Sequence, residues 1–218
     1  ADRDALCEMV FNTGLTGYHE LLTDASYAGQ GIVMASPIMG NYGVFADHAE
    51  SWRPWAEALI VRDLTRLEDD AREAGALETY LLEHGIPGLT CVDTRGLILR
   101  LRSSGTMNGL IADAEGFDRE NALARLAAHT NVHPVARVSC RETSFHPADA
   151  DAAGGRRYQV ALVDLGLKRG IIRSLNASGC DVTVYPWDTP AADILAAHPD
   201  GVVLSNGPGD PKDCAPAL

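Results

Sequence analysis

Basic residues are scarce in this sequence. Its 218 residues include 18 Lys and Arg against 30 Asp and Glu, which gives a formal net charge of −12 at pH 7. A protein that binds nucleic acid neutralises phosphates with a face rich in Lys and Arg, and this balance argues against nucleic acid as a partner. The acidic excess otherwise indicates only good solubility.

The sequence also lacks long apolar runs and clustered cysteines. No run approaches the roughly 18 apolar residues of a membrane-spanning helix, and the start of the chain lacks the basic-then-apolar pattern of a signal peptide. The cysteines are odd in number and widely spaced: Cys7, Cys91, Cys140, Cys180 and Cys214. This spacing is typical neither of a disulfide framework nor of a metal site. We therefore expect no membrane partner and a cytoplasmic location.

The last third of the chain alternates apolar runs with helical patterns. The predicted strands are Tyr158–Asp164, Asp181–Tyr185 and Gly201–Leu204, and the predicted helices between them are Lys168–Ser178 and Ala191–His198. Strands that begin about 20 residues apart with a helix between them are βαβ units. The pattern therefore predicts the first part of a doubly wound parallel sheet, in an α/β protein.

The earlier part of the chain is also mixed α/β, with elements of irregular length. Predicted strands are Glu8–Phe11, Gly31–Ser36, Ala58–Arg62, Leu89–Val92 and Met107–Ala112, and predicted helices are Glu68–Glu83, Thr94–Ser104 and Arg119–His129. Asp93, Asp118, and either Asp188 or Thr189 are the expected N-caps of three of the helices. The small, polar segment Ala148–Arg157 reads as a linker between two domains.

The segment Gly201–Pro211 (GVVLSNGPGDP) is the most informative motif. Its apolar start reads as a buried strand, and ligands of open α/β sheets bind at the carboxyl ends of strands. Gly207 and Gly209 can each present a backbone N–H with no side chain in the way, whereas Pro208 donates nothing. The plainer interpretation is a tight turn that only ends the strand.

A second set of motifs makes the resemblance specific. The chain resembles the small subunit of carbamoyl phosphate synthetase in its Gly-Pro-Gly loop and in six earlier segments: Phe11–Glu20, Leu22–Gln30, Pro37–Gly43, Asp93–Arg95, Gly105–Gly109 and Asp164–Arg169. The resemblance runs almost from end to end, and several of these motifs are absent from other amidotransferases.

The resemblance implies an architecture and a reaction. Residues 1–147 would form the N-terminal domain typical of this subunit, 148–157 a linker, and 158–218 an incomplete class I amidotransferase domain with a flavodoxin-like sheet. The subunit would hydrolyse glutamine and pass ammonia to a large, ATP-using subunit that makes carbamoyl phosphate for the arginine and pyrimidine pathways. No cofactor is expected in the small subunit, because ATP and magnesium belong to the large one.

The resemblance also assigns a glutamine site. Gly207 and Gly209 would hold the substrate, with the Gly207 N–H as the candidate oxyanion donor, and Ser26 would reach the glutamine from the N-terminal domain. A serine hydroxyl suits that role because it both donates and accepts hydrogen bonds. The plainer interpretation of Ser26 is a loop serine that bonds to its own backbone.

No residue of this chain matches the catalytic nucleophile of the family. That cysteine lies in a Gly-x-Cys-x-Gly turn beyond the Gly-Pro-Gly loop, and its His and Glu come later still. His129 and His133 have a spacing that can bind metal on a helix, but Pro134 makes a helix end the better interpretation. We expect no metal site, a chain that is a fragment of a longer protein, and no glutaminase activity from these 218 residues alone.

Two other functions stay open on the sequence. An amidotransferase of another pathway, such as anthranilate synthesis, is disfavoured because those enzymes lack the segment that contains Asn12–Gly17. A non-catalytic module that keeps only the N-terminal domain for docking is the main alternative to the glutaminase.

Overall fold

The computed structural model describes residues 4–65, 76–151, 157–212 and 214. The chain divides into two compact units, the first comprising Ala1–Thr23 and Tyr27–Val132 and the second Asp24–Ser26 and His133–Leu218. The strands are β1 (Ala5–Asn12), β2 (Gln30–Met34), β3 (Ile38–Met39), β4 (Ala58–Ile60), β5 (Asp63–Leu64), β6 (Gly88–Leu89), β7 (Met107–Ile111), β8 (Ser144–His146), β9 (Tyr158–Asp164), β10 (Cys180–Pro186) and β11 (Gly201–Leu204). The α-helices are α1 (Tyr18–Thr23), α2 (Leu77–Glu83), α3 (Thr94–Ser104), α4 (Arg119–Ala128), α5 (Pro134–Val138), α6 (Arg169–Ala177) and α7 (Ala191–Ala196).

The first unit is built on a five-stranded sheet of order β6-β4-β2-β1-β7. Strands β1, β2, β4 and β6 are parallel, and β7 pairs with β1 in the antiparallel sense. A separate parallel pair joins β3 to β5. The carboxyl ends of β2, β4 and β6 therefore lie at one edge of the sheet.

Side chains on this sheet alternate between two apolar cores. Ile32 and Met34 of β2 pack with α1 and α2, whereas Val33 between them packs with Leu101 of α3 on the opposite face. Successive side chains of a strand point to opposite faces of its sheet, so a continuous apolar run is what a strand covered on both sides requires.

The second unit holds a four-stranded sheet of order β11-β9-β10-β8. Strands β9, β10 and β11 are parallel, and β8 adds an antiparallel edge beside β10. Ala161 and Val163 of β9 pack with Ile194 of α7, whereas Leu162 packs on the face that carries α6. Helices on both faces of a parallel sheet make this unit doubly wound, and the predicted α/β class is confirmed.

Several elements differ from the sequence-based prediction. Strand β6 ends at Leu89 rather than Val92, because Cys91 takes a left-handed backbone conformation (φ 61°) that a strand cannot contain. Helix α7 begins without a side-chain cap from Asp188 or Thr189, since Pro190 occupies the N-cap position. Strand β8 and the short helices α1 and α5 were not predicted from their sequences.

Two predicted helix starts are confirmed in detail. The Asp93 carboxylate accepts the Gly96 N–H at 3.0 Å at the start of α3. The Asp118 carboxylate accepts the N–H groups of Glu120 and Asn121 at the start of α4. These bonds satisfy donors that the first turn of a helix otherwise leaves without partners.

Some predicted features fall partly outside the described residues. The first part of the predicted helix Glu68–Glu83 does so, and α2 accounts for its end. The predicted linker 148–157 includes residues 152–156, which are also outside, so the division into 1–147 and 158–218 stays a prediction. None of the helices in the described ranges is both long and apolar enough to cross a bilayer.

Candidate functional site

Two loops of the second unit meet where strands β9 and β11 end. The strands are parallel neighbours, so the turn after Asp164 and the loop after Leu204 leave the same edge of the sheet. The buried Ser205 joins them, because its hydroxyl accepts the Leu165 N–H at 2.9 Å and donates to the Asn206 carbonyl at 2.7 Å. Hydrogen bonds of Ser205 therefore hold the start of the Gly-Pro-Gly segment in place.

Gly207 lies directly against the β9–α6 turn. A Cβ atom at this position would stand 2.1 Å from the Leu165 carbonyl oxygen, so no residue with a side chain fits without moving the loop. Gly209 is required for a different reason, since its φ of 83° lies in the left-handed region. Both glycines are exposed. Within the described residues, neither donates its backbone N–H to another group.

Asn206 connects this loop to Ser26. The Asn206 Nδ2 amide donates to the Ser26 Oγ at 2.8 Å and to the Gly166 carbonyl at 3.0 Å. Its Oδ1 accepts the Lys168 N–H at 3.2 Å. Ser26 is half-buried, and its hydroxyl accepts the Asn206 amide; among the described residues it forms no bond to its own backbone. The three residues that the sequence proposed for the site, Ser26, Gly207 and Gly209, thus gather around the Asn206 loop.

An ion pair between the buried Asp24 and the partly exposed Lys168 supports the Ser26 segment. The Asp24 side chain is only 5% exposed, and its Oδ2 lies 2.7 Å from the Lys168 Nζ. The Asp24 Oδ1 accepts the Ser26 N–H at 2.9 Å and lies 3.3 Å from the Asn206 Nδ2. A carboxylate so far from water needs such partners, because burying an unpaired charge is costly.

The sequence-based reasoning missed Asn206, Lys168 and Asp24 as members of this cluster. Asn206 was interpreted as part of a turn, and Lys168 as the start of a helix. Each of the three lies inside a segment that carries the family resemblance. The signal in the sequence was therefore a polar side chain within such a segment.

Asp164 orders the turn against which Gly207 packs. Its Oδ1 accepts the N–H groups of Gly166 and Leu167 at 2.8 and 2.7 Å, and its Oδ2 accepts the Cys140 N–H at 2.7 Å. These three backbone N–H groups replace the hydrogen bonds to water that the carboxylate loses on burial. The β9–α6 turn is therefore held at the edge of the sheet.

Neither the Cys140 thiol nor the Cys7 thiol is activated as a nucleophile. Burial and the neighbouring Asp164 carboxylate raise the pKa of the Cys140 thiol to about 12. Burial, with a further contribution from Glu57, raises the pKa of the Cys7 thiol to about 12. A nucleophilic cysteine needs the opposite, because only the thiolate reacts. Cys180 begins β10, as expected, and Cys214 is buried.

The histidine pair lies at helix ends. Helix α4 ends at Ala128, so His129 lies beyond it, and His133 precedes α5 with a φ of 48°. The two side chains are therefore not on one helical face. In the part of the chain that is described, no group of three or more His, Cys, Asp or Glu side chains is arranged to hold a metal ion.

The arrangement suits a small polar ligand with both donors and acceptors. It combines exposed backbone N–H groups at two glycines, a hydroxyl at Ser26 and an ammonium at Lys168. Glycine N–H groups can approach a carbonyl closely, and such donors stabilise the oxyanion that forms when the carbonyl is attacked.

Comparison with known proteins agrees with the two-part organisation. Residues 1–111 match the family model described as carbamoyl-phosphate synthase small chain, CPSase domain, and residues 161–218 match that of class I glutamine amidotransferases. The chain is 44% identical over 219 residues to the carbamoyl phosphate synthase small chain of Listeria monocytogenes strain EGD-e, covering all of this chain and 58% of that protein. It is 43% identical over 211 residues to the protein of the same name from Bacillus caldolyticus, covering 97% of this chain and 56% of the relative.

Proposed function

The chain belongs to the carbamoyl-phosphate synthase small-chain family, and from that premise we propose that it carries part of a glutamine-hydrolysing site. The ammonia released there would serve the synthesis of carbamoyl phosphate. The observation that carries the proposal is the contact between Ser26 and the Gly-Pro-Gly loop, where the Asn206 amide lies 2.8 Å from the Ser26 hydroxyl. Two segments far apart in the sequence thereby contribute polar groups to one cluster.

Each group of the cluster has a proposed role. The Gly207 N–H donates to the oxyanion that develops on the glutamine carbonyl, and Gly209 leaves room for the substrate beside it. The Ser26 hydroxyl bonds to the bound glutamine, while Asn206 and Asp24 position that serine. The Lys168 ammonium adds positive charge next to the site and offsets the buried Asp24 carboxylate.

Glutamine hydrolysis further needs an activated nucleophile and a base. No cysteine between residues 1 and 218 stands in a Gly-x-Cys-x-Gly context, and the thiols of Cys7 and Cys140 have raised pKa values. The proposal therefore requires these groups to be encoded beyond Leu218.

The partner and the setting are part of the same proposal. The family to which the chain belongs supports a large, ATP-using subunit with its magnesium as the proposed partner in a heterodimer, where the ammonia would be consumed. The product would enter the arginine and pyrimidine pathways in the cytoplasm. Hydrolysis of an amide at the proposed site would need no cofactor.

The coding sequence beyond Leu218 provides the first test. The proposal predicts an open reading frame that contains a Gly-x-Cys-x-Gly turn followed by a His-x-Glu segment. A stop codon directly after Leu218 would contradict it and would favour the non-catalytic docking module. In that case the cluster around Asn206 would have only a structural role.

A further inference from the structure

A cleft lies in the first unit, at the carboxyl ends of three parallel strands. It has a volume of about 790 Å³. Residues that follow β2, β4 and β6 line it: Pro37 after β2, Arg62 after β4, and Val92 after β6. Ligands of open α/β sheets bind at this edge, and clefts of roughly 300–1,000 Å³ are the usual size of small-molecule sites.

One wall of the cleft is a basic face of helix α3. Arg95 and Arg102 line the cleft from positions seven residues apart, which is about two helical turns, so both lie on the same side of the helix. Within the described residues, neither guanidinium forms an ion pair. Unpaired cations that face one cleft are notable in a chain whose net charge is −12.

The acidic residues of the cleft already have partners. The Asp93 carboxylate accepts the Gly96 N–H at the start of α3. Asp63 lies 3.7 Å from the Arg62 guanidinium, and both side chains are largely exposed. The lining of the cleft therefore has a net positive charge, because three guanidinium groups (Arg62, Arg95 and Arg102) stand against the carboxylates of Asp63 and Asp93.

The cleft also has an apolar surface. Ile98 lies on α3 between the two arginines, and the exposed Leu99 and the half-buried Val92 also line the cleft. Ile98 and Val92 also pack partly against the core of the first unit, and a free inorganic ion would leave the surface that they and Leu99 turn to the cleft in contact with water. A ligand with an apolar group attached to its anionic group would cover them.

We propose that this cleft binds a small organic anion, in which a phosphate or carboxylate group pairs with Arg95 and Arg102 and an apolar group packs against Ile98 and Leu99. Guanidinium groups suit both anions because their planar donors bind two oxygens at once. The site lies in the first unit and uses none of the residues assigned to glutamine.

Isothermal titration calorimetry on the 218-residue chain tests the proposal with two probes, phenyl phosphate and benzoate, at constant ionic strength. We expect saturable binding of at least one probe, and the tighter probe identifies the anion. Inorganic phosphate should bind more weakly than phenyl phosphate because it makes no apolar contact.

The variants Arg95→Gln and Arg102→Gln should each weaken binding by roughly 5- to 20-fold, since charge-assisted hydrogen bonds are strong but these side chains are partly hydrated. Arg100→Gln is the matched control, because Arg100 is exposed on the same helix but does not line the cleft. Its affinity should equal that of the wild type. Absence of saturable binding up to about 20 mM of both probes, or an equal loss of affinity in Arg100→Gln, would overturn the proposal.

Discussion

At the scale of single residues, Gly207 shows how closely the loop is packed. The Gly207→Ala change places a methyl group 2.1 Å from the Leu165 carbonyl oxygen, so the loop or the turn must move. We expect the free energy of unfolding to fall by about 1–3 kcal/mol, as for other overpacked sites. Urea denaturation of both proteins measures this difference.

Gly201→Ala is the matched control for that change. A Cβ atom at Gly201 meets nothing within 4 Å, and the free energy of unfolding should stay within about 0.5 kcal/mol of the wild type. Equal losses of unfolding free energy in the two variants would show that the loss in Gly207→Ala does not come from the close contact with Leu165.

His19 in α1 makes stability depend on pH. It is 2% exposed, and among the described residues its Nδ1 has no hydrogen-bond partner. Burial lowers the pKa of His19 below 6.5, and the nearby His48 and His84 act in the same direction, whereas a hydrogen bond to the Phe45 backbone and the Glu20 carboxylate partly offset them. Above pH 6.5 the imidazole is neutral in both states. As the pH falls below 6.5, the unfolded chain takes up the proton first, so the free energy of unfolding decreases.

We therefore expect the wild type to lose more stability between pH 7 and pH 5 than His19→Leu, which has no titratable group at this position. Thermal denaturation across this pH range makes the comparison. His198→Asn, which removes an exposed imidazole, should keep the pH dependence of the wild type. An unchanged pH dependence in His19→Leu would show that His19 is not the group responsible.

At the scale of secondary-structure elements, the sequence predicts some helix caps correctly and others wrongly. Asp118 was predicted to cap α4, and its carboxylate accepts two N–H groups there. Asp188 was a candidate cap of α7, but Pro190 occupies that position. Asp118→Ala should therefore lower the free energy of unfolding by about 0.5–2 kcal/mol.

The exposed Asp188→Ala is the control for that variant, and its unfolding free energy should stay within about 0.5 kcal/mol of the wild type. Urea denaturation of both variants decides the comparison. A loss in Asp188→Ala as large as that in Asp118→Ala would contradict the assignment of the caps.

The strands of the second unit were predicted well because each is a short apolar run with a turn on both sides. Periodicity cannot predict β8, because Ser144–His146 has no apolar run and becomes a strand only by pairing with β10. It also cannot predict the end of β6, which depends on the left-handed backbone of Cys91. Long-range pairing and single backbone angles are properties of the folded chain rather than of a local pattern.

The candidate site was predicted only in part, for a similar reason. Glycines next to a strand end are visible in the sequence, and the family resemblance added Ser26. The Asp24–Lys168 ion pair and the Asn206 bonds join residues that are distant along the chain. No local pattern specifies which polar side chains meet in this way.

At the scale of the whole molecule, the 218-residue chain should not hydrolyse glutamine. The thiols of Cys7 and Cys140 have pKa values of about 12 and are therefore protonated at neutral pH, and no cysteine stands in the expected turn. An assay of glutamate release by the purified chain checks this. Turnover at a rate typical of enzymes, on the order of 1–10³ per second, would show that one of the five cysteines is a nucleophile after all.

Steady-state kinetics of Ser26→Ala in the glutamine-hydrolysing protein measures whether Ser26 and the Gly-Pro-Gly loop bind glutamine. Loss of one hydrogen bond to the substrate should raise the KM for glutamine by about 5- to 30-fold with little change in kcat. Synthesis from added ammonia bypasses glutamine and should be unchanged, as should both activities in the control Ser36→Ala, which alters a serine of the first unit that is half-buried like Ser26. A wild-type KM for glutamine in Ser26→Ala would contradict the account and leave Ser26 as a structural partner of Asn206.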